Sequence, residues 1–225
     1  MPAATSHTTA MQVQGANRPA NYYDSRRVDV AALVPADARR VLDVGCGKGR
    51  LGSLLRRRGH HVCGVELIPT IAEEAADHLD EIVCADVETD VLPWPTGAFD
   101  AIVCADVLEH LGDPWFVVRR LVRLLTPGGW LIASIPNVQN YRVIRGLLRG
   151  RWEYRARGIL DHGHMRFFTW QGIHDLYTQA GLDVAQRRAV FHRTTLRRLL
   201  CALTLGASEP FLARSYLVVG QKPTA

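Results

Sequence analysis

The stretch Arg40-Val41-Leu42-Asp43-Val44-Gly45-Cys46-Gly47-Lys48-Gly49-Arg50-Leu51-Gly52 decides how the rest of the chain is read. A short apolar run, Val41 to Val44, meets three glycines at alternate positions. A helical pattern then starts near Arg50, with Leu51, Leu54 and Leu55 on one face. Strand, glycine turn and helix in that order form a nucleotide-binding βα unit. Glycine serves such a turn because it accepts unusual φ/ψ and lets a ligand approach the backbone. The spacing is G-x-G-x-G, not the G-x-G-x-x-G of dinucleotide folds. An acid, Asp43, stands two residues before the first glycine, which suits a ligand with positive charge and an amino group better than a pyrophosphate.

Working outward, the strand-then-acid arrangement repeats. His61 to Glu66 is a second strand, ending in an acid 19 residues after Gly47. A carboxylate at that place can accept from both ribose hydroxyls of a nucleoside; the structural alternative is a helix cap. Glu81 to Asp86 reads as a third strand and Phe99 to Asp106 as a fourth, each closed by an acid. Between them, Thr70 to His78 is a helix and Val87 to Gly97 a crossover whose Trp94 belongs to the packing. Upstream, Tyr22 to Leu33 reads as a first helix ended by Pro35. Downstream, Asp113-Pro114 is an N-cap followed by an N1 proline. It opens an amphipathic helix from Trp115 to Leu125 that Pro127-Gly128-Gly129 stops. Trp130 to Asn137 is a fifth strand, Gln171 to Ala180 a helix capped by Thr169, and strands near Val184 to Phe191 and Tyr216 to Gln221 finish the chain. In an open α/β sheet, ligands bind beyond the carboxyl ends of the strands, so Asp43, Glu66, Asp86 and Asp106 converge on one edge.

Residues 39 to 136 resemble the class I S-adenosylmethionine (SAM) dependent methyltransferases. The glycine turn matches motif I, and Phe99 to Leu111 matches motif IV. A helix ending in Pro-Gly-Gly before an apolar strand is a further hallmark. The resemblance implies an α/β, Rossmann-like sandwich with a seven-stranded, mostly parallel sheet of order 3-2-1-4-5-7-6 and helices on both faces. It implies SAM as cofactor and S-adenosylhomocysteine as product. The implied cofactor contacts are Asp43, Gly45, Cys46, Gly47, Gly49, Glu66, Leu67, Asp86, Val87, Ala105 and Asp106, with Asp86 toward the adenine amine. SAM's sulfonium, ammonium, ribose hydroxyls and adenine amine all favour acceptors or negative charge.

Methyl transfer is an in-line displacement in which the cofactor carries the reactive group. The protein aligns the nucleophile and, for a hydroxyl, removes a proton. Histidine suits that task. His164 is the preferred base; His110, one turn after Asp106, and His162 are the other candidates. A reading of Glu109-His110 as a mere turn cap stands beside this. Tyr22, Tyr141 and Arg166 are candidate acceptor contacts. Asp161, His162 and His164 with Asp106 or His110 have residue types that suit a divalent ion, but their spacing matches no metal signature, so no metal is expected.

Residues 1–21 contain no apolar segment of a secretory signal and read as a flexible arm; 22–225 read as one domain. No apolar run approaches the roughly 18 residues of a membrane span, and the five cysteines form no C-x-x-C pair, so a reducing cytoplasm is expected. Four of those cysteines sit in or beside expected buried strands. A net charge of +5 permits an anionic partner without requiring one. Residues 138–168 form an insertion holding Arg142, Arg145, Arg149, Arg151, Arg155 and Arg157 with interleaved Tyr141, Trp152 and Tyr154. It reads either as a contact for a phosphorylated or carboxylated acceptor, or as a solvated helix or a homodimer face. Nucleic acid is disfavoured, because there is no RNA-binding module and motif IV lacks the N/D-P-P-Y/F run of base methylation. Ser134 to Asn137, the Leu148 to Arg151 run and the later His before an aromatic-Thr helix start look like the bacterial MetW-like branch and its sugar- and polysaccharide-modifying neighbours. The expected reaction is therefore O-methylation of a small molecule, a sugar or glycosylated metabolite. A MetW-like SAM-binding partner protein and a small-molecule N-methyltransferase are the alternatives.

Overall fold

The computed structural model describes residues 23–191 and 194–224. The arm 1–21 and Tyr22 lie outside them. Seven strands form one sheet in the order β3-β2-β1-β4-β5-β7-β6. They are β1 Arg40–Val44, β2 His61–Glu66, β3 Glu81–Cys84, β4 Phe99–Ala105, β5 Leu125–Pro136, β6 Asp183–Phe191 and β7 Ala213–Gln221. β1 to β5 run parallel, and β7 lies antiparallel to both β5 and β6. The expected order and the single reversed strand are therefore both present. The central strands β1 and β4 are almost wholly buried, with Val41, Leu42, Ile102 and Val103 at 0% exposure. Strands covered on both faces read as continuous apolar runs rather than alternating ones, which is what Val41–Val44 and Ala101–Cys104 show.

Helices cover both faces, and two apolar clusters form, one on each side. One includes Leu42, Phe99, Leu121 and Tyr177; the other includes Val30, Val41, Leu55 and Val103. In chain order the helices are α1 Val28–Ala31, α2 Arg50–Arg56, α3 Pro69–Ala75, α4 Pro114–Leu124, α5 Tyr141–Leu147, α6 Trp170–Gln179, α7 Thr194–Leu203 and α8 Glu209–Leu212. The Asp113 carboxylate accepts from Phe116 N at 2.9 Å and the Thr169 hydroxyl from Gly172 N at 3.2 Å, so both expected caps are made. Among the described residues no helix is long and apolar enough to cross a membrane.

Four expectations need correction. The first helix is one turn, not Tyr22 to Leu33. Arg27 sits at φ 36°, in the left-handed region, and stops the helix from extending backward. Residues 23–27 instead cross the glycine turn, where Lys48 N donates to Tyr23 O at 3.2 Å and Arg50 pairs with Asp24 at 2.5 Å. Second, β3 ends at Cys84 rather than Asp86. Asp86 starts a turn, its Oδ1 accepting from Glu88 N and its own N–H donating to Asp90 Oδ2, both at 2.8 Å. Third, β5 begins at Leu125, because Leu125 pairs with Phe99 across an irregular step in the ladder and carries the Pro-Gly-Gly run into the strand. β7 likewise begins three residues earlier than expected. Fourth, Cys84 is exposed, since β3 is the sheet edge; Cys46, Cys63 and Cys104 are buried as expected.

Asn137 ties the end of β5 to the start of β7. It is fully buried; its Nδ2 donates to Pro210 O at 2.7 Å and to Ala213 O at 3.0 Å, and its Oδ1 accepts from Gln139 N at 3.1 Å. Asn140 Nδ2 also donates to Ala213 O, at 2.8 Å. Asn137→Ala removes the donor to Pro210 O, one of two donors to Ala213 O and the acceptor for Gln139 N, and we expect a loss of about 1–3 kcal/mol in urea unfolding. A loss under half a kcal/mol would show that these bonds do not hold the two strand ends together.

Candidate active site

A cleft of about 840 Å³ opens along the carboxyl rim of the sheet, within the roughly 300–1,000 Å³ of small-molecule sites. Its floor is the glycine turn. Gly45 and Gly47 have φ of 63° and 54°, which side chains rarely adopt. A Cβ on Gly45 would stand 2.7 Å from Val107 Cγ2, and one on Gly47 would stand 2.9 Å from Tyr23 O. Both positions therefore require glycine on two counts.

Two carboxylates are sunk into this floor. Glu66 ends β2, 5% exposed; its Oε2 accepts from Gly47 N at 3.0 Å and its Oε1 from Ile68 N at 3.1 Å. Each oxygen keeps a further lone pair for a ligand hydroxyl. Burial raises its pKa, while the Ile68 and Gly47 N–H groups pull the other way. Asp43, 2% exposed, is worse placed for charge: its Oδ2 has no hydrogen-bond partner. Burial, helped by the nearby Glu66, pushes its pKa up to about 7.

At the end of β4, Asp106 takes φ 59°. Its Oδ1 accepts from Ser134 Oγ at 2.8 Å, and its Oδ2 is paired with Arg27, which also grips Asp29 at 3.1 Å. The segment 23–29 thus straps across the cleft, with Tyr23, Asp24, Ser25, Arg27 and Asp29 in its wall.

Beyond Asp106 a second buried carboxyl appears. Glu109 is 1% exposed and neither of its carboxyl oxygens has a hydrogen-bond partner. Burial, with Asp106 nearby, raises its pKa well above the ordinary range. Its backbone carbonyl accepts from Met165 N at 2.8 Å and Arg166 N at 3.0 Å, which fastens the insertion to the β4 turn. His164 is buried against it, with Nε2 at 3.9 Å from Glu109 Oε1 and Nδ1 at 2.9 Å from Ile159 O. His110 Nδ1 lies 2.9 Å from Gly163 O, and the two rings meet edge-on with centroids 4.7 Å apart. One ligand atom from each of Glu109, His110 and His164 lies within 4.8 Å of the others.

Of the expected site residues, Asp43, Gly45, Cys46, Gly47, Glu66, Leu67, Val87, Ala105, Asp106, His110 and His164 line the cleft. Gly49, Asp86, His162, Tyr141 and Arg166 are not in its wall. Gly49 caps α2, and a Cβ on it would meet His78; Asp86 Oδ1 accepts from Glu88 N in its turn. His162 is exposed, with Nδ1 at 3.0 Å from Arg155 O. Tyr141 opens α5 and accepts from Arg142 Nε at 3.2 Å, while the Arg166 guanidinium holds Gly112 O. Sequence reasoning passed over Arg27, Arg214 and the Glu109 carboxyl. Only Glu109 had a signal, its place beside His110 in motif IV.

Ionised Asp43 costs stability in the free protein. Folded, it keeps its proton to about pH 7, whereas the unfolded chain releases it near pH 4. Stability therefore falls from about pH 4 to 7 and is flat above, a loss on the order of 4 kcal/mol. Asp43→Asn removes that slope. Urea midpoints measured from pH 4 to 8 without ligand should show the variant gaining on the native protein up to pH 7; parallel curves would refute this.

Comparison with known proteins agrees with this geometry. The methyltransferase-domain family matches residues 16–187. A ubiquinone biosynthesis O-methyltransferase of Xylella fastidiosa is 37% identical over 207 residues, 84% of each chain. The protein of the same name from Xanthomonas oryzae is 37% identical over 129 residues, 55% of this chain and 54% of that one, so the chain spans about half the length of that relative. A solved SAM-dependent methyltransferase from Archaeoglobus fulgidus superposes with TM-score 0.65 at 17% identity, over 90% of this chain and 97% of that one, which bears on the fold. With motif I under the cleft, motif IV at its centre and the seven strands in this order, the chain belongs to the class I SAM-dependent methyltransferases.

Proposed function

We propose that this chain is an O-methyltransferase acting on a hydroxyl of a small molecule. The carrying observation is the placement of His110. Its ring lies in the cleft wall beside Asp106 and Val107, and its Nδ1 faces a carbonyl that can only accept. With the proton on Nδ1 in the neutral ring, the lone pair that a base uses is on Nε2. The names of the relatives, O-methyltransferases, support a hydroxyl acceptor over an amine.

The cofactor, when bound, supplies an electrophilic methyl on a sulfonium. Asp43 and Glu66 favour its cationic and hydroxyl-bearing parts at the β1–β2 end. His110 takes the acceptor's proton as the oxygen attacks. His164 holds the 159–164 loop against Glu109, and that loop with the 23–29 strap limits water. This assigns the base to His110 and a positioning role to the buried His164. The acceptor end of the wall includes the apolar Pro136, Ile159 and Val190, which suits an acceptor with an apolar ring or chain better than a bare sugar.

A second reading rests on the Glu109, His110 and His164 group. The residue types fit a hard or borderline divalent ion, and the orphaned Glu109 carboxyl would gain a partner from it. His110 would then be a ligand and the metal would acidify the hydroxyl. Turnover after exhaustive EDTA treatment separates the two: the base reading expects it unchanged, the metal reading expects loss restored by Mg²⁺. Under the base reading His110→Ala lowers kcat about 100-fold or more while SAM affinity stays within about two-fold. Retention of kcat would remove His110 as the base.

Cofactor binding gives an independent check. At pH 6 Asp43 holds its proton, and a cationic ligand beside it expels that proton. Calorimetric titration of SAM in two buffers of different ionisation enthalpy should report release of about one proton, absent in Asp43→Asn. No heat at saturating SAM would overturn the proposal.

A further inference from the structure

The cleft continues past the cofactor end. After β4 the sheet runs β5, β7, β6, and the wall follows it through Pro136, Ser215 and Val190. The insertion faces these strand ends with Arg157, Gly158 and Ile159. Arg214 stands in this half. Its carbonyl accepts from Asn137 N at 2.9 Å, so its backbone is pinned at the start of β7. Its guanidinium lies over Gly158: a Cβ there would be 4.0 Å from Nη2. Gly158 has φ 106°, so the position excludes side chains and the space beside the guanidinium stays open.

Arg27, Arg157 and Arg214 line the cleft, and the first and last of them differ in their state. Arg27, at the cofactor end, is neutralised by Asp29 and Asp106. Arg214 makes no ion pair among the described residues, although it lines the same cleft. We propose that Arg214 recognises an acidic group, a carboxylate or a phosphate, carried by the methyl acceptor on the part of the molecule away from the hydroxyl. This rests on the function proposed above and names its substrate class.

The charge layout supports it. Asp43 and Glu66 favour a cation at one end of the cleft; Arg214 brings a positive charge to the other. A cationic cofactor and an acidic acceptor are thereby sorted to opposite ends. The planar guanidinium can grip either anion with two parallel N–H donors. Two carboxyls also face this half. Glu109 is buried, with Nε2 of His164 at 3.9 Å from its Oε1, and Asp161, 2% exposed, has Oδ1 turned to Gly163 N at 2.8 Å. Among the described residues neither forms an ion pair with Arg214.

The test uses the full chain saturated with S-adenosylhomocysteine, with benzoate, phenyl phosphate and neutral benzamide as calorimetric probes. We expect one anion to bind about ten-fold or more tightly than benzamide, and its identity tells carboxylate from phosphate. Arg214→Gln should weaken that anion about ten-fold with S-adenosylhomocysteine affinity unchanged. Should Arg214→Gln lose S-adenosylhomocysteine as well, Arg214→Lys decides: a several-fold weaker anion supports the inference, an unchanged one overturns it. Equal binding of all three probes, no binding of either anion, or an anion preference untouched in Arg214→Gln overturns it alone. Failure of S-adenosylhomocysteine to bind the native protein overturns the proposed function, and this inference with it.

Discussion

Buried negative charge is the constraint on which the site depends. Removing a carboxylate from water is costly unless hydrogen bonds or a counter-charge compensate. Three carboxyls at the strand ends show graded compensation. Glu66 receives two backbone N–H groups. Asp43 keeps an oxygen with no partner. Glu109 has neither oxygen partnered. Each can stay neutral by keeping its proton, and the raised pKa values follow from that. A cation entering the cleft removes the penalty, so the apo fold is pre-strained toward binding one. Stability and affinity are opposite faces of this burial.

The glycine turn and the strap are consequences of the same need for access. A ligand can reach Asp43 and Glu66 only if backbone, not side chain, separates them from solvent. Gly45 and Gly47 meet that condition. The space a Cβ would fill at Gly47 is already taken by Tyr23 O, so the strap packs directly on bare backbone. Arg27 then closes the strap onto Asp106. That ion pair lies in the cleft wall, at the junction between the β1–β2 end and the insertion, and it couples the N-terminal segment to the strand end that also leads to Glu109 and His110.

The strands and the acids at or near their ends were legible in the sequence because their signals are local, while the strand order came with the family resemblance. An apolar run, a turn with fixed glycine spacing and a terminal acid occupy about a dozen residues, and the parallel fold brings such units to one rim without further information. The acceptor end was not legible in the same way. Tyr141, His162 and Arg166 were attractive by residue type, yet each has a partner away from the cleft: Tyr141 with its neighbour Arg142, His162 against Arg155 O, and Arg166 on the distant Gly112 O. Nothing in an arginine-rich composition says which guanidinium faces a cleft. Arg214 does so because β7 reverses and Asn137 fixes its first residues, a contact spanning 77 positions of sequence. The short first helix failed for a similar reason: its amphipathic pattern was real, but long-range pairing of Arg27 and Asp24 outweighed a weak helical preference.

The antiparallel β7 has a chemical consequence as well as a topological one. A parallel strand would bring its carboxyl end to the rim, as β1, β2 and β4 do. β7 instead brings its amino end there, pairing Ser215 with Pro136. The long excursion between β6 and β7 therefore starts and finishes on the acceptor side of the cleft. The insertion after β5 starts there too and returns by the bridge between Asn137 and Phe168. Both excursions can change without disturbing the β1, β2 and β4 ends where Asp43, Glu66 and Asp106 sit. A fold arranged this way can hold one end of the cleft fixed and change the other, and it is Arg157, Ile159, Val190 and Arg214, not the motifs that identify the family, that line this other end.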